Sequence, residues 1–147
     1  MTLKYPKSNF HAILPRELKK QSADIVVFQT GSIEITNIDV KKAMMDPNRD
    51  INDYEAEWFK KVEDDSANLF DLAQTVTKEN PDTQVVILKR LPRFDPLRHD
   101  PLKIKRKLSS HGNNMYDKIW KKSGSPTNIT ITSLKISNAR IQDSPSS

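Results

Sequence analysis

Seven residues with chemical potential fall just behind two apolar runs. Gly31, Ser32, Glu34 and Asn37 follow DIVVFQT, and Arg90, Arg93 and Asp95 follow QVVIL. Gly31 permits positive φ or a close backbone approach, and Ser32 can donate a hydroxyl or cap the next element. Glu34 has the type of a general base, and the amide of Asn37 has the type that stabilises a developing oxyanion. The same residues also serve as ordinary turn and capping groups, so their value depends on where the chain puts them. If the two runs are neighbouring strands, all seven residues line one crevice.

Other chemistries have less support. The chain has no cysteine, which removes disulfides, thiolate nucleophiles and Cys-based zinc sites, and its three histidines form no ligand pair at helical spacing. No metal site and no cofactor are expected. Neither a G-x-G-x-x-G nor a Walker sequence is present, so nothing cradles a nucleotide phosphate. His99 and Asp100 are adjacent in the proline-rich stretch RFDPLRHDP, where neighbours do not readily face one another; a solvated loop is expected there. The charge is uneven: Lys89 to Lys122 holds eleven Lys/Arg against three Asp/Glu, a local +8 within a net +5. Lys103, Lys105, Arg106, Lys107, Lys118, Lys121 and Lys122 form a basic patch that could meet phosphate. On a helix such residues are more often a solvated face, and no aromatic platform for stacking bases is interleaved with them.

The elements that must position these residues are visible in the hydrophobic pattern. Asp24 to Thr30 contains the run Ile25-Val26-Val27-Phe28 without alternation, as in a strand covered on both faces, and Gln84 to Leu88 repeats it. Between them Tyr54, Trp58, Val62, Leu69, Leu72 and Val76 keep helical spacing, opened by a capping box of Asn52 and Glu55 and ending near Lys78. NPDT at 80–83 reads as a turn. Ile104, Leu108, Met115 and Ile119 predict a second helix, interrupted near Gly112-Asn113-Asn114, and Asn128 to Ile136 alternates as a third strand. A short helix is expected to open at Pro15, in LPRELKK.

Strand, helix, strand, helix, strand implies a parallel sheet covered by helices, the α/β class, whose ligands sit beyond the carboxyl ends of the strands. The 147 residues are enough for one domain. No segment approaches the roughly 18 apolar residues that span a bilayer, and the amino terminus lacks the apolar stretch of a secretory signal; no membrane and an intracellular, cytoplasmic location are expected.

DIVVFQTGSIEITN and QVVILKRLPRFD, with the long helix between them, resemble the centre of the SGNH (GDSL-type) hydrolases, a three-layer α/β family acting mostly on esters. The family's G-x-N-D block corresponds to Gly31-Ser32-Ile33-Glu34, and its block with Pro and nearby Arg and Asp corresponds to Pro92-Arg93-Phe94-Asp95. A nearer likeness is to SGNH-like domain proteins in which the first block reads G-S-x-E/D-I-S/T-N. The resemblance covers about residues 20–136. It implies an incomplete three-layer αβα, flavodoxin-like domain over 1–141; the polar tail QDSPSS at 142–147 reads as disordered.

The departures bear on activity. The family's nucleophile sits in a G-D-S block after an earlier strand, and nothing between Met1 and Asp24 reads that way; Ser8 and Ser22 lie in polar, non-strand surroundings. The family's base comes from a D-x-x-H block, but no histidine follows His111, and Ile33 stands where the oxyanion Asn would be. The resemblance therefore implies a truncated or non-catalytic relative of serine esterases, which would become a hydrolase if flanking sequence supplied those blocks. In that setting Gly31 and Asn37 would shape the oxyanion side, and Arg93 would orient acyl or acidic groups. The expected partner is a small ester or acyl ligand, with nucleic acid or an acidic partner meeting the basic stretch 103–122 as the alternative, and self-association through exposed sheet edge.

Overall fold

The β-branched runs become the strands of a parallel sheet. A computed structural model describes residues 7–29 and 31–134, with side chains from residue 13 onward. Strand β1 (Ile25–Phe28) pairs in parallel with β2 (Gln84–Leu88), and β2 pairs in parallel with β3 (Ile129–Thr132), giving the order β1-β2-β3. The β1–β2 pairing is bracketed at its start by Gln84 N–H donating to the Asp24 carbonyl at 2.8 Å. Beside it, Thr83 Oγ1 donates to the Ala23 carbonyl at 2.7 Å. The third strand is shorter than the expected 128–136, since it ends at Thr132 and Ser133 and Leu134 are not in a strand, while Thr30, residues 135–136 and the boundary at 141 with the tail beyond it lie outside the described residues.

The long helix is α4 (Ile51–Glu79), preceded by α1 (Lys7–Gln21) and two five-residue helices, α2 (Ser32–Thr36) and α3 (Val40–Met44); α5 (Ile104–Lys122) joins β2 to β3. At 29 residues α4 is roughly 44 Å long. Its buried residues Val62, Leu69, Leu72, Ala73 and Val76 fall at the helical spacing that places them along one face. Leu69, Phe70, Leu72, Ala73 and Val76 meet Tyr116 of α5 and Phe28, Val85, Ile87 and Ile129 of the sheet in the main core, with Leu14 and Leu18 of α1 packed against it. A second cluster, Ile35, Val40, Val62, Ile104 and Leu108, ties α2 and α3 to α4 and α5.

Four expectations about these elements are corrected. First, the sheet is covered on one face among the described residues. Register puts Val26, Val85 and Ile129 on the helix side, while Ile25 (64% exposed) and Val27 (56%) lie on the other side with Thr130 and Thr132. The unalternating apolar run concealed an alternation in burial, and the described architecture has two layers. Second, Pro15 lies inside α1, which begins eight residues earlier. Third, Asp50 caps α4, accepting from Asn52 N–H at 2.8 Å, in place of the Asn52 and Glu55 box. Fourth, α5 runs unbroken through Gly112. None of the helices among the described residues is long and apolar enough to cross a membrane.

Candidate functional site

Gly31 ends the connection after β1 with φ 95° and serves as the N-cap of α2, so the chain turns at the sheet edge in a conformation that favours glycine. Arg90 follows β2 at the same edge. Its guanidinium occupies the space that side chains at Gly31 and Gly112 would need: a Cβ on Gly31 would lie 2.3 Å from Nη2, and one on Gly112 would lie 2.3 Å from Nη1. Two glycines from distant elements thus flank one arginine, which is only 5% exposed. Tyr116 presents its ring 5.4 Å from the guanidinium carbon.

The backbone of Arg90 is held as firmly as its side chain. Its N–H donates to Asn113 Oδ1 at 2.8 Å, and its carbonyl accepts from Asn113 Nδ2 at 2.9 Å. A side-chain amide therefore extends β2 as a neighbouring strand would, and the Asn113 that suggested a helix break is used this way from within α5. Asn113→Ala leaves the Arg90 N–H unpartnered and is expected to destabilise the fold by about 1–2 kcal/mol in urea unfolding. A loss below about 0.5 kcal/mol would show that the two bonds carry nothing.

Arg90 borders a cavity of about 400 Å³ together with Gly31, Glu34 and Asn37 on the α2 side and Trp58, Lys61, Val62 and Asp65 on α4. Arg90 Nε and Nη1 and both carboxylate oxygens of Glu34 are buried without a hydrogen-bond partner among the described residues. Burial pushes the Asp65 carboxyl above its ordinary range and Glu34 adds to this, while Lys61 and Arg90 act in the opposite direction. Among the described residues, the cavity lining contains no serine, threonine, cysteine or histidine.

Arg93 and Asp95 have a different role from Arg90. Arg93 Nε and Nη2 donate to the two Asp95 carboxylate oxygens at 2.7 and 2.9 Å. The same guanidinium reaches the Ser32 carbonyl at 3.2 Å and Thr36 Oγ1 at 2.9 Å. The arginine's hydrogen bonds hold the Asp95 carboxyl below the usual carboxylate range. These donors are committed to fixing α2 against the loop after β2. Ser32 itself is exposed, and its carbonyl also accepts from Thr36 Oγ1 at 2.8 Å.

The basic patch loses one member. Lys105 is 5% exposed, and its Nζ donates to the Thr36 carbonyl at 2.9 Å, because the start of α5 packs against the end of α2. Lys103, Arg106, Lys107, Lys118, Lys121 and Lys122 remain exposed. Asp100 is corrected too. It is 3% exposed, and its carboxylate accepts from the N–H groups of Lys105 at 3.0 Å and Arg106 at 3.4 Å, while Phe94, Pro96, Leu97, Arg98 and His99 of the same loop are exposed.

The structure thus brings Gly31, Glu34, Asn37 and Arg90 to one cavity and sets Ser32, Arg93 and Asp95 beside it as supports. Trp58, Lys61 and Asp65 are the lining residues that sequence reasoning missed. Their signal was present: with Val62 they fall at i, i+3, i+4 and i+7 of α4, a face that mixes charge with apolar side chains. The chain has no match among protein-family models, curated proteins or solved structures.

Proposed function

We propose that the chain is the central part of an SGNH-like, flavodoxin-like α/β domain, and that it holds a small acyl or acidic ligand at the carboxyl edge of its sheet without hydrolysing it. The observation that carries this reading is Arg90: a buried arginine after a central parallel strand, with two unpartnered nitrogens, beside a cavity of about 400 Å³. Glu34 and Asp65 share the cavity but make no ion pair with Arg90, and an acidic group would give a buried guanidinium nitrogen the charged hydrogen-bond partner it lacks. The strand order β1-β2-β3 matches the run of sequential neighbours in a doubly wound sheet. The two blocks that carry the resemblance also meet, since Arg93 bonds the Ser32 carbonyl. Ligand binding without acyl transfer is supported by the lining, which among the described residues offers carboxylates, an amide and cations but no hydroxyl or thiol nucleophile and no imidazole.

Hexanoate is expected to bind the purified chain in calorimetric titration and to lose about tenfold or more in affinity with Arg90→Met, the range for a hydrogen bond to a charged group. p-Nitrophenyl butyrate is expected to show no turnover above background, and Ser32→Ala to leave that rate unchanged. Stoichiometric labelling of Ser32 by a fluorophosphonate, with turnover lost in Ser32→Ala, would overturn the non-catalytic reading.

A further inference from the structure

Arg90 is not the only buried charged group at the cavity without a partner. Glu34, across the same cavity, has both carboxylate oxygens buried and unbonded, and the two residues form no ion pair with each other. Asp65 adds a second carboxylate to the Glu34 side, on α4 one turn from Lys61. A simple anion would compensate Arg90 but would enter a space lined by three carboxylates, Glu34, Asp39 and Asp65, against one further cation, Lys61. A simple cation would meet the reverse difficulty. A neutral polyol could bond both groups but would neutralise neither, and an uncompensated buried charge costs far more than a missing hydrogen bond.

We infer that the ligand of this cavity is a small zwitterion of the α-amino acid class, its carboxylate on Arg90 and its ammonium on Glu34 and Asp65. This rests on the acid-binding reading of Arg90 given above and extends it. The ligand carries no net charge, so it meets Arg90 at one end and Glu34 and Asp65 at the other without changing the charge of a cavity in which Lys61 already acts on Asp65. About 400 Å³ exceeds what the carboxylate and ammonium need, and Ile35 and Trp58 supply an apolar wall for a side chain. Glu34 is held in place for this contact from outside the cavity: its helix, α2, is pinned by Arg93 at Ser32 and by Lys105 at Thr36. The ammonium side is thereby positioned without using either of those cations inside the cavity.

The test uses L-leucine, N-acetyl-L-leucine, L-leucinamide and hexanoate in calorimetric titrations against the full chain. L-Leucine is expected to bind most tightly, and removing the ammonium by acetylation or the carboxylate by amidation is expected to weaken binding about tenfold or more. Glu34→Gln, at a partly exposed position that tolerates the change, is expected to erase the preference for L-leucine over N-acetyl-L-leucine. Arg90→Met is expected to erase the preference over L-leucinamide, with circular dichroism reporting whether that variant folds. If hexanoate and N-acetyl-L-leucine bind as well as L-leucine, the zwitterion is wrong and the acid-binding reading stands. If none of the four binds at millimolar concentration, both fall. Affinity for L-leucine unchanged in Glu34→Gln would also overturn the inference.

Discussion

Gly31→Ala is expected to lower the unfolding free energy by about 2–4 kcal/mol, through two causes that can be separated. The residue sits at φ 95°, where an L side chain costs about 1–2 kcal/mol. Its added Cβ would also meet Arg90 Nη2 at 2.3 Å and Nε at 2.6 Å, and overpacking of this kind costs about 1–3 kcal/mol. The guanidinium cannot retreat freely, because Gly112 flanks it as well, with its own missing Cβ 2.3 Å from Nη1. In an Arg90→Ala background the steric part should vanish and leave only the backbone part. Urea unfolding of the wild type, both single variants and the double variant closes the cycle. Losses that simply add would show that the glycine is required by its φ alone, and that no close packing between Gly31 and Arg90 has to be preserved.

That pairing also marks where sequence legibility stops. Ile25 to Phe28 and Val85 to Leu88 are short unalternating runs of apolar, mostly β-branched residues with a helix of crossover length between them, and run length, residue type and the 3.6 period fix such elements without tertiary information. The edge location of Gly31, Glu34, Asn37 and Arg90 followed from the same topology. Which of the polar residues would be free to bind did not follow, because it depends on contacts between distant segments. Arg93 and Arg90 look alike in sequence, yet one is consumed by Asp95, Ser32 and Thr36 while the other has two nitrogens unpartnered. Lys105 reads as one of several basic residues, yet it bonds a carbonyl on α2.

Gly112 was misread for a related reason. Glycine lowers helix propensity by about 1 kcal/mol, so GNN inside a helical pattern suggests a break. Here the absent side chain admits Arg90, the next residue clamps the Arg90 backbone, and the helix continues because packing outweighs propensity. The open sheet face is a further case. Ile25 and Val27 are apolar whether or not anything covers them, and only the register of the sheet separates the covered side from the uncovered one. Parallel sheets are usually covered on both faces, and here the covered side is the one that meets α4 and α5.

Asp100→Ala is expected to cost about 2–3 kcal/mol, the range for a helix cap whose acceptor is charged and whose donors are left buried. The residue precedes α5 and reaches past Lys103, which adopts φ 57° and makes no side-chain cap of its own, to accept from Lys105 and Arg106. An acceptor there satisfies two of the amides a helix start leaves open, and its negative charge suits the positive end of the helix. His99, adjacent and exposed, provides the internal control: His99→Ala should change stability by less than about 0.5 kcal/mol. Asp100→Asn, which keeps one acceptor oxygen, should fall between the two. The consequence extends beyond stability, because the turn that Asp100 fixes also carries Lys105, whose Nζ holds the Thr36 carbonyl at the end of α2. Loosening the start of α5 therefore releases one of the two cations that hold the helix bearing Glu34. Asp100→Ala should consequently weaken L-leucine binding more than hexanoate binding, since the ammonium contact depends on α2 and the carboxylate contact depends on Arg90. Equal weakening of both ligands would mean that the cap supports the whole sheet edge and gives α2 no separate support.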